Sequence, residues 1–103
     1  MVVPQQWREY RCEDYFASPL AVHGYWDEPA QLWCIEPAER IVEDAEAQFL
    51  QVGRAGVDSI GFGYCKGLTG FWAMHRMEGS EFQYLAPTVL QFLDGWLAGA
   101  ITV

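Results

Sequence analysis

An α+β domain is the fold this sequence predicts: a small antiparallel sheet of about four to five strands, with a C-terminal helix and one or two further short helices packed on it. Three observations lead there. Ser59 to Cys65 alternates Ile60, Phe62 and Tyr64 with small residues, which is the period of a half-buried strand. After Pro87, the residues Val89, Leu90, Phe92, Leu93, Trp96 and Leu97 recur at helical spacing and form a broad apolar stripe. The 103 residues, 51% of them hydrophobic, suit one core, so residues 1–103 are read as a single domain.

Taken in chain order, Pro4 to Tyr15 is loosely helical, with Trp7, Tyr10, Arg11 and Tyr15 on a thin face and Pro4 in the first turn. Residues 17 to 30 hold Pro19, Gly24 and Pro29 and read as loop, with room for a short edge strand in Leu20 to Trp26. Gln31 to Ile35 is apolar and aromatic enough to be a strand. A helix is expected from Pro37 to about Gln48, because proline suits a first helical turn and Glu36 and Glu39 favour the positive end of the dipole. In that helix Ala38, Ile41, Ala45 and Gln48 share one face, with Glu39, Glu43 and Glu46 near another.

Phe49 to Gly53 is the next predicted strand, and Arg54 to Asp58 a turn in which Gly56 takes a positive φ. Gly61 and Gly63 leave one face of the following strand bare, so that another backbone or ring can come close. Lys66 to Gly70 then turns the chain into Phe71 to Arg76, completing a β-hairpin. Met77 to Glu81 turns again, Phe82 to Leu85 adds a strand, and the last helix ends near Gly99. Gly95 within that helix costs roughly 1 kcal/mol relative to alanine and marks either close packing or a frayed end.

Charge narrows the classes of partner. Fourteen acidic against six basic side chains give −8, a field that repels phosphate backbones and anionic headgroups, so neither nucleic acid nor a membrane surface is an expected partner. Seven of the acids lie between Asp27 and Glu46 with only Arg40 opposing them. Such a run is either a solvated surface kept for solubility or an attraction for a basic protein. No apolar run approaches the ~18 residues of a membrane span, and the opening Met-Val-Val-Pro-Gln-Gln-Trp-Arg lacks the pattern of a signal peptide, so a cytoplasmic location is expected. Cys12, Cys34 and Cys65, odd in number and widely spaced, read as reduced, partly buried thiols.

Five Trp, five Tyr and six Phe are many rings for so small a core. They call for either a ring-rich interior or an aromatic patch at the surface or a dimer interface.

No set of catalytic residues emerges. Cys12, His23, Cys34, Cys65 and His75 lack metal-ligand spacing, and no metal or cofactor is expected. A Cys65–His75 pair has no evident oxyanion donor or orienting carboxylate, and no two of Glu13, Asp14, Asp27 and Glu28 are singled out as a glycosidase pair. Gly61-Phe62-Gly63 and Lys66-Gly67 lie between strands and in the wrong order for a phosphate loop. The chain is therefore expected to be a non-enzymatic binder. A small-molecule-binding domain, with an apolar aromatic pocket beside the bare strand or between two subunits, is the alternative.

The order of features resembles the SUKH superfamily, which includes the Smi/Knr cell-wall regulators and many bacterial immunity proteins. Leu32-Trp33 matches its first strand, Glu36-Pro37 its helix start, Leu50, Val52 and Gly53 an apolar strand, and Gly56 with Asp58 a turn. Phe62-Gly63-Tyr64 and Phe71-Trp72 match its aromatic strands, and Ala86-Pro87-Thr88-Val89 leading into Leu90-Gln91-Phe92-Leu93 its last helix. The family's glycine cluster is thinned to Gly53-Arg54-Ala55-Gly56-Val57-Asp58, and its N-terminal helix is largely missing. A sheet face left bare by that loss would be covered by homodimerisation. The resemblance implies an immunity-type inhibitor of a basic bacterial toxin, such as a nuclease. By analogy with such inhibitors, and not by transfer of a motif, the expected contacts are the acids Asp27, Glu28, Glu39, Glu43 and Asp58 with exposed rings such as Tyr25, Trp26 and Trp72.

Overall fold

A computed structural model describes residues 1–103 apart from Val57, Asp58 and Glu78. The fold is α+β. A 3-10 helix at Gln5–Tyr10 is followed by α1 (Glu13–Ala17), α2 (Leu20–His23), β1 (Tyr25–Asp27), β2 (Leu32–Ile35), a 3-10 turn at Ala38–Arg40, β3 (Val42–Asp44), β4 (Phe49–Arg54), β5 (Ile60–Cys65), β6 (Phe71–His75), β7 (Glu81–Ala86) and α3 (Val89–Leu97). The described strands form one seven-stranded sheet in the order β1-β2-β4-β5-β6-β7, every pairing antiparallel, with β3 also on β4. The predicted central hairpin and C-terminal helix are both present. Two strands exceed the expected four to five: the short edge strand β1 and the unforeseen β3.

The helix expected from Pro37 to Gln48 is a correction. Ile35 pairs with Gly53 and Val42 with Gln51, so β2 and β3 lie end to end along the same edge of β4 while residues 36–41 loop out between them. Ile41 and Val42, both β-branched, favour extended backbone, and the edge of β4 offers hydrogen-bonding groups that a helix would leave unmet. Long-range pairing overrides the helix propensity of Ala45-Glu46-Ala47, which instead form the hairpin turn between β3 and β4. Asp44 Oδ1 accepts from the Ala47 N–H at 3.0 Å, and Gln48 closes the turn at φ 55°. The helix expected from Pro4 to Tyr15 is likewise divided, because Arg11 sits at φ 52°, a left-handed conformation that no right-handed helix continues through. The stretch read as loop before β1 contains the single turn of α2.

All helices contribute to one side of the sheet. There Leu50, Val52, Phe62, Tyr64, Phe71 and Ala73 meet Tyr15, Phe16, Val89 and Phe92 in the main core. Phe92 of α3 lies 4.6 Å from Phe62 and 4.7 Å from Phe71 between ring centroids, and Trp96 meets Phe62 edge-on at 5.2 Å. Much of the ring surplus is thus interior. Thr88 caps α3 by accepting from the Gln91 N–H at 3.2 Å. Close packing explains Gly95, since a Cβ there would sit 2.5 Å from Ile101 of the returning C-terminal segment. Leu90 and Leu97 of the predicted stripe stay exposed.

Candidate functional site

The second side of the sheet carries no helix among the described residues. Strand alternation and register place Phe49, Gln51, Gly61, Gly63, Cys65, Trp72, Met74, Phe82 and Tyr84 there. Phe49, Cys65 and Met74 are buried beneath Ala47 and Trp72, a small second core made from strands and one hairpin turn. Above it, Trp72 meets Tyr84 edge-on at 5.3 Å, and Phe82 lies 6.0 Å from Phe49. Phe82 and Tyr84 remain 41% and 52% exposed, and Trp72 is half-buried. The Trp72 indole N–H donates to the Thr69 carbonyl at 3.0 Å, which holds the ring in place. These neighbouring rings form an aromatic surface on the open side of the sheet.

Two hollows border this surface. One, of about 560 Å³, lies beside Phe82 and is lined by Asp44, Glu46 and Arg76, with Gly79 and Ser80 at its rim. Arg76 reaches Asp44 at 3.9 Å, leaving Glu46 as a second, exposed carboxylate in the same hollow. The other, of about 420 Å³, has Arg54 and Arg76 on its wall.

The expected bare face over Gly61 and Gly63 is occupied by the chain itself. A Cβ on Gly63 would collide with the Leu50 carbonyl, and one on Gly61 would collide with the Gln51 side chain. It is the backbone of β4, together with Gln51, that makes the close approach the glycines permit.

The residues singled out in the sequence fall in separate places. Tyr25, Trp26, Asp27 and Glu28 follow the outer strand β1 and its turn: Trp26 packs edge-on to Trp33 at 5.4 Å and donates to Glu28 at 2.7 Å, and Asp27 accepts from the Ala30 N–H at 3.3 Å. Tyr25 is partly buried against the main core. Glu39 is exposed on the looped-out segment, whose neighbour Arg40 lies over the Trp33 ring at 5.7 Å. Glu43 projects to the helical side, where it accepts from the Tyr10 hydroxyl at 2.7 Å, so it shares no helical face with Glu39 and Glu46. Asp58 lies outside the described residues. Of the other seven, only Trp72 belongs to the open aromatic face. Phe82, Tyr84, Asp44 and Glu46 were missed as site residues, although the period of two from Phe82 to Tyr84 already put both rings on one side of a strand.

Cys65 and His75 are not brought together: Cys65 closes β5 while His75 pairs with Ile60 at its start, about 17 Å away at strand rise. The His75 ring is engaged by Gln83 at 2.9 Å. Burial pushes the Cys65 thiol up to about 11. All three cysteines are free and buried. Among the described residues, no three His, Cys, Asp or Glu side chains converge as metal ligands, and no helix is long and apolar enough to cross a membrane.

No match emerges from comparison with family models, curated proteins or solved structures.

Proposed function

We propose that the chain is a non-enzymatic binding domain that docks a basic protein on the open face of its sheet. The observation that carries this reading is the juxtaposition of the half-exposed rings Trp72, Phe82 and Tyr84 with the carboxylates of Asp44 and Glu46 in one neighbouring hollow. Aromatic rings supply contact area at little entropic cost, and a lysine or arginine seated against Phe82 would meet a ring face and the exposed Glu46 carboxylate, with Asp44 shared with Arg76. The −8 charge steers a basic partner toward the domain from a distance.

An immunity-type inhibitor of a basic toxin fits this pattern, as the resemblance to the SUKH superfamily implies. The resemblance rests on element order, and Glu36-Pro37 opens a single 3-10 turn where that order calls for a helix. A second copy of the chain is the competing occupant of the ring surface.

The decisive experiment is affinity capture from the native cells, followed by purification of the captured protein and titration of its binding at increasing salt. A basic partner is expected, whose affinity falls as salt rises and is lost in Phe82→Ser/Tyr84→Ser. Binding that ignores both salt and the two rings overturns the proposal. So does sedimentation showing a stable homodimer that the same double substitution converts to monomer.

A further inference from the structure

The 420 Å³ cleft, which meets the hollow beside Phe82 at Arg76, has a different chemistry from the ring surface. Its lining includes Arg54 and Arg76, two of only six basic residues in a chain of charge −8. Arg54 pairs with Gly61 in register and Arg76 follows β6, which places both on the open side. Between them Gly61 has no side chain, and Gln51 of β4 fills that space. From there Gln51 Oε1 accepts from Arg76 Nη2 at 2.8 Å. The glycine thus lets a neutral amide lie in the sheet surface and hold Arg76 beside the cleft.

Each guanidinium is anchored and still has donors to offer. The Arg54 Nε faces the buried Glu36 carboxylate at 3.6 Å, and Arg76 uses one terminal nitrogen for Gln51 and Asp44. Among the described residues the other nitrogens have no hydrogen-bond acceptor or ion-pair partner. The remaining lining is apolar: Leu32, Val42 and Ile60, with Val42 57% exposed at the mouth.

We propose that this cleft binds a small organic monocarboxylate, with the carboxylate between Arg54 and Arg76 and the apolar part against Leu32, Val42 and Ile60. A planar carboxylate matches the guanidinium fork. The surrounding negative field disfavours dianions and polyanions such as phosphates, and the apolar wall gives a phosphate nothing to contact. The volume lies within the range of small-ligand pockets, roughly 300–1,000 Å³. The cleft shares Arg76 with the hollow beside Phe82, but Phe82 and Tyr84 do not line it, so substitutions of the two rings separate this inference from the protein-docking reading.

The test is a titration of the full chain with octanoate, octylamine and inorganic phosphate at constant ionic strength, followed by amide chemical-shift mapping. Octanoate is expected to saturate shifts centred on Arg54, Ile60, Gly61 and Arg76. Arg76→Gln should weaken it about tenfold or more. Val42→Glu, which adds a like charge at the mouth on an exposed side chain, should do the same without touching the arginines. Arg54 is better replaced by lysine, because its loss would leave Glu36 buried without its cation. Phe82→Ser/Tyr84→Ser should leave octanoate binding unchanged while abolishing protein docking. Equal response to octylamine or phosphate overturns the proposal, as do shifts centred on Trp96 and Ile101 or unaltered affinity in both Arg76→Gln and Val42→Glu.

Discussion

The Tyr64 hydroxyl donates to Asp14 Oδ2 at 3.0 Å, and the same oxygen accepts from the Val89 N–H at 2.7 Å. One carboxylate on α1 thereby joins the central strand β5 to the first turn of α3, where a negative charge also suits the helix dipole. Tyr64 is fully buried, and burial, with the Asp14 charge beside it, raises its phenol far above the ordinary 10.0. The bond is a tie between segments 50 and 75 residues apart in sequence.

Breaking that tie should be costly. Asp14→Ala leaves the Tyr64 hydroxyl and the Val89 N–H without this acceptor, and a loss of about 2–3 kcal/mol is expected. Tyr64→Phe removes one donor while Asp14 keeps Val89, and about 1 kcal/mol is expected. Urea unfolding of both single variants and the double variant would measure the coupling, and additive losses would show that the two groups do not act together.

Glycines at two positions should respond in opposite degree. Gly63→Ala forces a methyl into the Leu50 carbonyl of the paired strand and is expected to cost about 3 kcal/mol or more. Gly67→Ala has open space around it but sits at φ 80°, so only backbone strain of roughly 1–2 kcal/mol is expected. Thermal melts of the two variants would rank them.

Gln48 offers a gain. Its backbone at φ 55° closes the β3–β4 turn and its side chain is exposed, so Gln48→Gly relieves strain with little lost contact. Stabilisation of about 0.5–1 kcal/mol is expected, read as a higher urea midpoint with an unchanged slope.

The thiols should make the fold sensitive to alkali. Burial pushes Cys12 and Cys34 up to about 12 and Cys65 up to about 11, from an ordinary 9.0. Above pH 9 the unfolded chain releases these protons while the folded chain keeps them, so the folded state binds more protons and unfolding becomes easier as pH rises. Stability is expected to be flat in this respect below pH 9 and to fall between about pH 9 and 12. Native protein at pH 8 should react with a thiol reagent far more slowly than unfolded protein, and Cys34→Ala should reduce the alkaline slope.

On the ring surface, Phe82→Ser and Tyr84→Ser remove half-exposed groups, and each is expected to change stability by less than about 1 kcal/mol. Phe92→Ala, at the contact of Phe62 and Phe71, should cost about 3–5 kcal/mol. Denaturation of the three variants would separate rings that hold the fold from rings available to a partner.

The sequence by itself determined the elements whose signals are local. The alternation of Ile60, Phe62 and Tyr64 fixed which side of β5 faces the core, the glycine-bounded turn after Lys66 fixed the hairpin, and the stripe beginning at Val89 fixed α3. Composition settled the charge and foretold a surplus of rings. Tertiary structure decided the rest, because the deciding interactions lie far apart along the chain. Residues 42–44 became a strand because β4 had an open edge for them, although the alanines that follow favour a helix. Glu43 turned to Tyr10, whereas Asp44 turned to the ring surface, a sorting that one residue of register reverses. The meeting of Trp72 with Tyr84, and the placing of Arg54 and Arg76 on the wall of one cleft, followed from strand pairing. Helices on one side of the sheet cover one set of rings and leave the other exposed, and the sequence contains no local signal for that choice.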